Sequence, residues 1–334
     1  ISPGVAEDPN LDKNRIYRVR PDYRTASLEN EARNEGVSED EVFAQYDTDW
    51  QNWPAEDGAP FNDLDSNGVY DPSVDIPGFP GASQTIWFVA NDLNQDNTTD
   101  LYGSNPMGIE MQATIWAYSQ GGPLGNMFFR KYTIINKSND TFEDMYVTMW
   151  SDPDVGDASD DFAGSDTLLS LGYAYNASPI DATYGDTPPP AVGFDFFQGP
   201  IVDSPGDTAI FNGEYVLDKK NLPMTAFYYF ARGDLSITDP TTQSYEGTLQ
   251  FYNFMQGKIG KTGEFFQTPP ELGAEPTTFT LSGDPVAGTG WLDGQLISAG
   301  DRRMGLASGP FTMEPGDVQE IVVAQIAAIG GDRL

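Results

Sequence analysis

Ile109-Glu110-Met111-Gln112-Ala113-Thr114-Ile115-Trp116-Ala117-Tyr118 is the stretch that decides the fold. Ile109, Met111, Ala113, Ile115 and Ala117 alternate with Glu110, Gln112, Thr114, Trp116 and Tyr118. A period of two sends the two sets to opposite sides of a pleated strand, one apolar and one mixed. Downstream, Gly121-Gly122-Pro123 reads as a turn, Met127–Asn136 as the next strand, Lys137-Ser138-Asn139-Asp140 as a second turn and Phe142–Trp150 as a third strand. Long strands joined by short turns predict an antiparallel meander. Upstream, Gln84–Ala90 is a compact apolar run of strand length.

Further strands are expected near 168–176, 191–198, 208–216 and 224–231, and over Thr248–Met255, Thr277–Leu281 and Val318–Ile329. Before residue 84 the pattern changes. Residues 1–25 are polar apart from Ile16–Arg20 and read as an extended arm. Ser27 caps a helix over Leu28–Asn34 that Gly36 ends, and Ser38 with Glu41 forms a capping box. Val42, Phe43, Tyr46, Trp50 and Trp53 then share one helical face before Pro54 stops the helix. The expectation is a mainly β protein: an antiparallel β-sandwich-like core with two short N-terminal helices and long acidic loops. Its divisions would be the arm (1–25), a helical segment with a calcium-type loop (26–83) and a large β domain (84–334), with two fused sandwiches as the alternative for the last.

Composition narrows the chemistry. The chain has 334 residues, a net charge of −34, and neither cysteine nor histidine. Disulfides, thiolate nucleophiles, imidazole metal ligands and Ser-His-Asp machinery are excluded. A surface this acidic repels phosphate backbones, so no nucleic-acid partner is expected, and no apolar run is long enough to span a membrane. The acidity is lopsided, with 35 Asp against 16 Glu. Asp favours turns, caps and cation loops over helices, which places the charge in loops.

The clearest loop is Asp63-Leu64-Asp65-Ser66-Asn67-Gly68-Val69-Tyr70-Asp71, D-x-D-x-N-G-x-x-D. Alternate side chains of a tight loop aim hard oxygens at one centre, and Gly at the sixth place permits the sharp turn, as calcium requires. Asp63, Asp65, Asn67 and Asp71 would supply side chains and Val69 its carbonyl. The twelfth place, Glu in an EF-hand, is Val74; Asp75, one residue on, closes the set in a variant loop. Two looser clusters are also candidates: Asp92, Asn94 and Asp96, with Asp100; and Asp152, Asp154, Asp157 and Asp161, with Asp160 and Asp166. Unneutralised carboxylates at that density repel one another, and Ca2+ would relieve the repulsion while ordering the loop.

Without His or Cys, any catalysis would be carboxylate work. Glu110 beside Trp116 and Tyr118 is the candidate acid, set against its reading as a solvated strand Glu. The aromatic excess is consistent with a sugar-stacking platform or with core filling.

Several runs look familiar together: Trp53-Pro54-Ala55-Glu56-Asp57-Gly58-Ala59-Pro60, Asp65–Pro72, Ile86–Asp92, Ser151–Asp157, and Arg302–Gly316 with Ser308-Gly309-Pro310-Phe311-Thr312 at its heart. They resemble a group of large secreted β-rich proteins of Bacteroidota and Ignavibacteria type, which often carry a type IX secretion sorting domain. The resemblance implies export and a β-rich fold and names no activity. The expected function is a secreted, calcium-stabilised structural or cell-surface protein without catalysis. The alternatives are a carbohydrate-binding module or glycosidase, and a self-assembling filament subunit. Expected partners are a second copy of the chain, as homo-oligomer or filament, and a surface polysaccharide; the expected location is extracellular or on the cell surface.

Overall fold

The computed structural model describes residue 8 and residues 10–333; the other residues of the 1–25 arm lie outside the described residues. The protein is mainly β. The strands that matter for function are β1 (Tyr17–Val19), β2 (Gln84–Asn91), β3 (Ile109–Ala117), β4 (Met127–Asn136), β5 (Phe142–Ser151), β6 (Asp161–Asp166) and β7 (Leu171–Asn176), then β8 (Ala191–Gln198), β9 (Ile201–Phe211), β10 (Glu214–Asn221), β11 (Ala226–Phe230), β12 (Arg303–Met313) and β13 (Val318–Ala328). Among the described residues one sheet has eight strands in the order β1-β2-β3-β4-β13-β8-β7-β6, and a second has three, β11-β12-β5. Every pairing between these strands is antiparallel.

The alternating stretch sits where its pattern demands, with Trp87 opposite Thr114 on one side and Ala113 opposite Tyr132 on the other. The meander stops after β4, and this corrects the sequence reading. Phe142–Ser151 joins the three-stranded sheet, and the place beside β4 goes to β13, with Val323 opposite Arg130. The turn after β4 is the cause. The Asn136 amide donates to the carbonyls of Asp140 and Met313, which ties that turn to the one preceding β13 in place of a hairpin. The strand expected over 208–216 is a hairpin, β9–β10, whose turn is Asn212-Gly213 with both φ angles positive (50° and 77°). Two adjacent residues in that region match the twist of the flanking strands, the usual reason for Asn-Gly at a two-residue turn.

Both sheets contribute to one buried cluster. Phe194, Phe196, Ile321 and Val323 come from the large sheet, and Phe227, Tyr229, Met304 and Leu306 from the small one. They meet closely at Gly172 of β7, where a Cβ would lie 2.6 Å from Leu306 Cδ1 and 2.8 Å from Phe227 Cε2.

Four α-helices occur among the described residues: α1 (Glu29–Glu35), α2 (Glu39–Gln51), α3 (Gln95–Tyr102) and α4 (Tyr245–Met255). The capping box of α2 is formed, with the Ser38 hydroxyl accepting the Glu41 N–H and the Glu41 carboxylate accepting the Ser38 N–H. Val42, Tyr46 and Trp50 bury against Tyr23, Leu28 and Ala32. Trp53 falls beyond the helix and packs with Tyr17 and Trp87 in a separate small cluster. The expected strand Thr248–Met255 is α4, capped by the Ser244 hydroxyl on the Gly247 N–H. Of Thr277–Leu281 only Thr277 is in a strand, the two-residue Pro276–Thr277. No described helix is long and apolar enough to cross a membrane.

Candidate functional site

The first acidic loop gathers three of its predicted ligands. Asp63, Asp65 and Asp75 each offer one carboxylate oxygen, and these lie within 4.8 Å of one another. Ser66 and Gly68 take positive φ angles (59° and 75°) and fold the loop back on itself. The loop amides are then drawn inward: Asp63 accepts the Gly68 N–H (2.7 Å), Asp65 accepts the Asn67 side-chain amide (2.8 Å), and Asn67 accepts the Val69 N–H (2.7 Å). The Gly68 N–H is the main reason the Asp63 carboxyl is held below its usual range. Asp75 is buried and accepts the N–H groups of Leu64 (2.9 Å) and Asp71 (2.8 Å), so it fixes both ends of the loop. Asp71 itself turns away to the N–H and hydroxyl of Ser73. Among the described residues no Lys or Arg forms an ion pair with these carboxylates, in contrast to the cluster described next.

The second cluster is assembled from two distant segments. Asp152 and Asp154, which follow β5, meet Asp301, which precedes β12, again with oxygens within 4.8 Å. Arg303 lies among them: its guanidinium donates to Asp152 (3.2 Å), Asp301 (2.8 Å) and Asp239 (3.2 Å). Arg302 points the other way into a buried pair with Asp293, through bonds of 2.8 and 3.0 Å. Asp157 caps a short turn by accepting the Ser159 N–H, which lowers its pKa. Asp161 is fully buried. Burial pushes its carboxyl up to about 7, with Asp160, Asp154 and Asp181 adding repulsion and the Val155 N–H opposing the rise. Asp195 on β8 is also raised, to about 6, by burial and the nearby Asp166.

The third predicted group is spent on structure. Asp92 accepts the N–H groups of Met107, Gly108 and Ile109. Asn94 caps α3 through the Asn97 N–H, and Asp96 and Asp100 lie along that helix.

No family model matches the chain. No significant match to a curated protein is found either. The geometry therefore carries the functional argument alone.

Glu110 is buried, which corrects its reading as a solvated strand residue; its carboxylate lies 3.8 Å from Lys137 Nζ and accepts the Gln112 amide. Trp116 is buried too, stacked between Phe79 (4.0 Å) and Phe129 (5.3 Å). A strand acid beside an exposed platform is not what this part of β3 presents.

The open aromatic surface lies elsewhere. β5 alternates: Val147 and Met149 pack on the core, while Tyr146, Thr148 and Trp150 face a groove of about 800 Å3. The end of α3 and the length of α4 form its other walls, with Tyr102, Tyr245 and Tyr252. Sequence reading missed this groove, and also Asp239, Asp301 and Arg303 of the second cluster. The only local signal for the latter was Arg302-Arg303, the one adjacent arginine pair in the chain.

Proposed function

We propose that this is a cation-stabilised extracellular β-protein, acting at a cell surface or in a matrix, that works by binding and not by catalysis. The convergence of Asp63, Asp65 and Asp75 without a basic partner among the described residues carries this reading. Three carboxylates whose oxygens each accept a loop N–H keep further lone pairs and net negative charge, which suits a hard divalent cation such as Ca2+. A chain without cysteine needs some other staple for a long loop, and millimolar calcium outside cells supplies the ordering free energy. The buried, paired state of Glu110 and the complete absence of His support a non-catalytic role. We read the two sheets as layers of a sandwich, on the strength of their shared cluster and the close approach at Gly172.

The test is thermal unfolding in millimolar calcium and then in excess chelator at fixed ionic strength. A site filled at a hundred times its Kd adds about 2.7 kcal/mol, a shift of roughly 4 °C for a chain of this size. The Asp63→Asn, Asp65→Asn double variant should lose that shift. Equal melting temperatures for the wild type in both buffers would overturn the proposal.

A further inference from the structure

The groove over β5 is built, not incidental. Thr248 Oγ1 donates to the Tyr102 carbonyl, and the Gln243 N–H donates to the Leu101 carbonyl (3.1 Å), joining α3 to the start of α4. Gly103 ends α3 with φ +65°, and a Cβ there would lie 2.5 Å from the backbone of Ser244 and Tyr245. The two helices thus fix Tyr102 and Tyr245 in the groove that Trp150 also lines. On the opposite wall Asp144 takes φ +53°, a conformation L residues rarely adopt. That twist turns its carbonyl to accept the Tyr252 hydroxyl (2.7 Å), and Tyr252 then meets Tyr146 edge to face at 5.8 Å. Backbone strain of this kind persists where the surroundings hold a side chain in a set position.

The rings so placed are left in water. Tyr102 is 55% exposed, Trp150 44% and Tyr245 61%. Their polar neighbours in the groove include Glu143, Asp144, Thr148, Thr241, Thr242 and Thr248. Among the described residues no Lys or Arg lines it, and the whole chain carries −34. Phosphate, sulfate and uronate ligands are therefore repelled. What fits is a neutral molecule with flat apolar faces to lie on rings and a rim of hydroxyls to donate to carboxylates and threonines. That is the chemistry of a pyranose ring, and the volume is of the size that holds an extended ligand. We infer that this groove binds a strand of neutral polysaccharide. The site does not depend on the cation reading, since none of the cation-loop residues touches it.

The test titrates the intact protein, with calcium present throughout, against cellohexaose, xylohexaose, mannohexaose and laminarihexaose, by calorimetry and tryptophan fluorescence. At least one should bind and shift the emission. Tyr245→Ala and Trp150→Ala should each weaken binding about tenfold, as expected for one lost ring contact of about 1.4 kcal/mol. Tyr215→Ala, an exposed ring on the β9–β10 hairpin, should leave it unchanged. Circular dichroism and melting temperature check that each variant folds. Failure of all four sugars at millimolar concentration, or binding that survives both groove variants, would overturn the inference. So would a groove that takes only an apolar peptide, added along the free edge of β5.

Discussion

The two acidic clusters contain the same triad of carboxylates and differ in what neutralises it. Asp63, Asp65 and Asp75 belong to one continuous loop with no basic partner among the described residues. Asp152, Asp154 and Asp301 come together across the fold and bring Arg303 with them. A guanidinium in the cluster is a counterion the chain carries itself; its absence leaves the charge to be met from solution. The number of carboxylates therefore does not decide whether a loop needs metal. On the proposed function, the presence of an internal cation does.

The comparison is open to three further measurements. The largest effect is expected beside the second cluster. Arg302→Ala leaves Asp293 buried without its partner, and chemical denaturation should show a loss of about 3–5 kcal/mol, in calcium or without it. A loss below about 1 kcal/mol would mean that the self-neutralised side of the molecule does not hold its loops in the way described.

A smaller effect tests the contrast itself. Arg303→Gln removes the internal cation from Asp152, Asp239 and Asp301. These groups are partly exposed, so the loss in chelator should be about 1 kcal/mol. The variant should also gain a calcium-dependent rise in melting temperature beyond that of the wild type. An unchanged calcium response would break the rule drawn from the comparison.

The third effect is one of pH. The folded state holds the proton of Asp161 up to about 7, whereas an unfolded carboxyl releases it near 3.8. The folded state thus binds the extra proton in between, and stability falls as pH rises from about 4 through 7. Asp154, Asp160 and Asp181 face this group and act in the same direction. Asp161→Asn should flatten that decline in melting temperature, measured in chelator. A slope unchanged from wild type would assign the pH dependence to other groups, Asp195 foremost.

How much could be read from the sequence depended on the range of each interaction. Strands β3 and β4 were legible because alternation is a local property, and the Ser38/Glu41 capping box because its partners are three residues apart. Pairing was not. Nothing within Phe142–Ser151 says that it will leave the meander, since the decision lies in Asn136 reaching Met313. Thr248, Phe251 and Tyr252 are β-favouring types, which is why the sequence predicts a strand where helix α4 forms. Its helical signal was the spacing of Phe251, Phe254 and Met255 behind a Ser244 cap, and contact with Tyr228 and Phe230 fixes it. The same divide runs through the sites. The first acidic loop is a run of thirteen residues and was visible whole, Asp75 included. The second needed Asp301 and Arg303, far along the chain, and the groove needed three segments at once.

The pairing of β4 with β13 also has a consequence in time. Lys131 and Glu320, joined across it, are 189 residues apart. The strand at the centre of the large sheet is the last of the described strands to emerge during synthesis. Before Val318–Ala328 arrives, β1 through β4 and β6 through β8 are two half-sheets, each with an open edge of unpaired amides. Such a long-range closure is slow, and the waiting halves are prone to wrong pairing. Folding in one step after release of the whole chain avoids that exposure, and on the proposed function cation capture by the Asp63 loop, which precedes every strand of the large sheet but β1, would order one end of the molecule while the sheet waits for its middle.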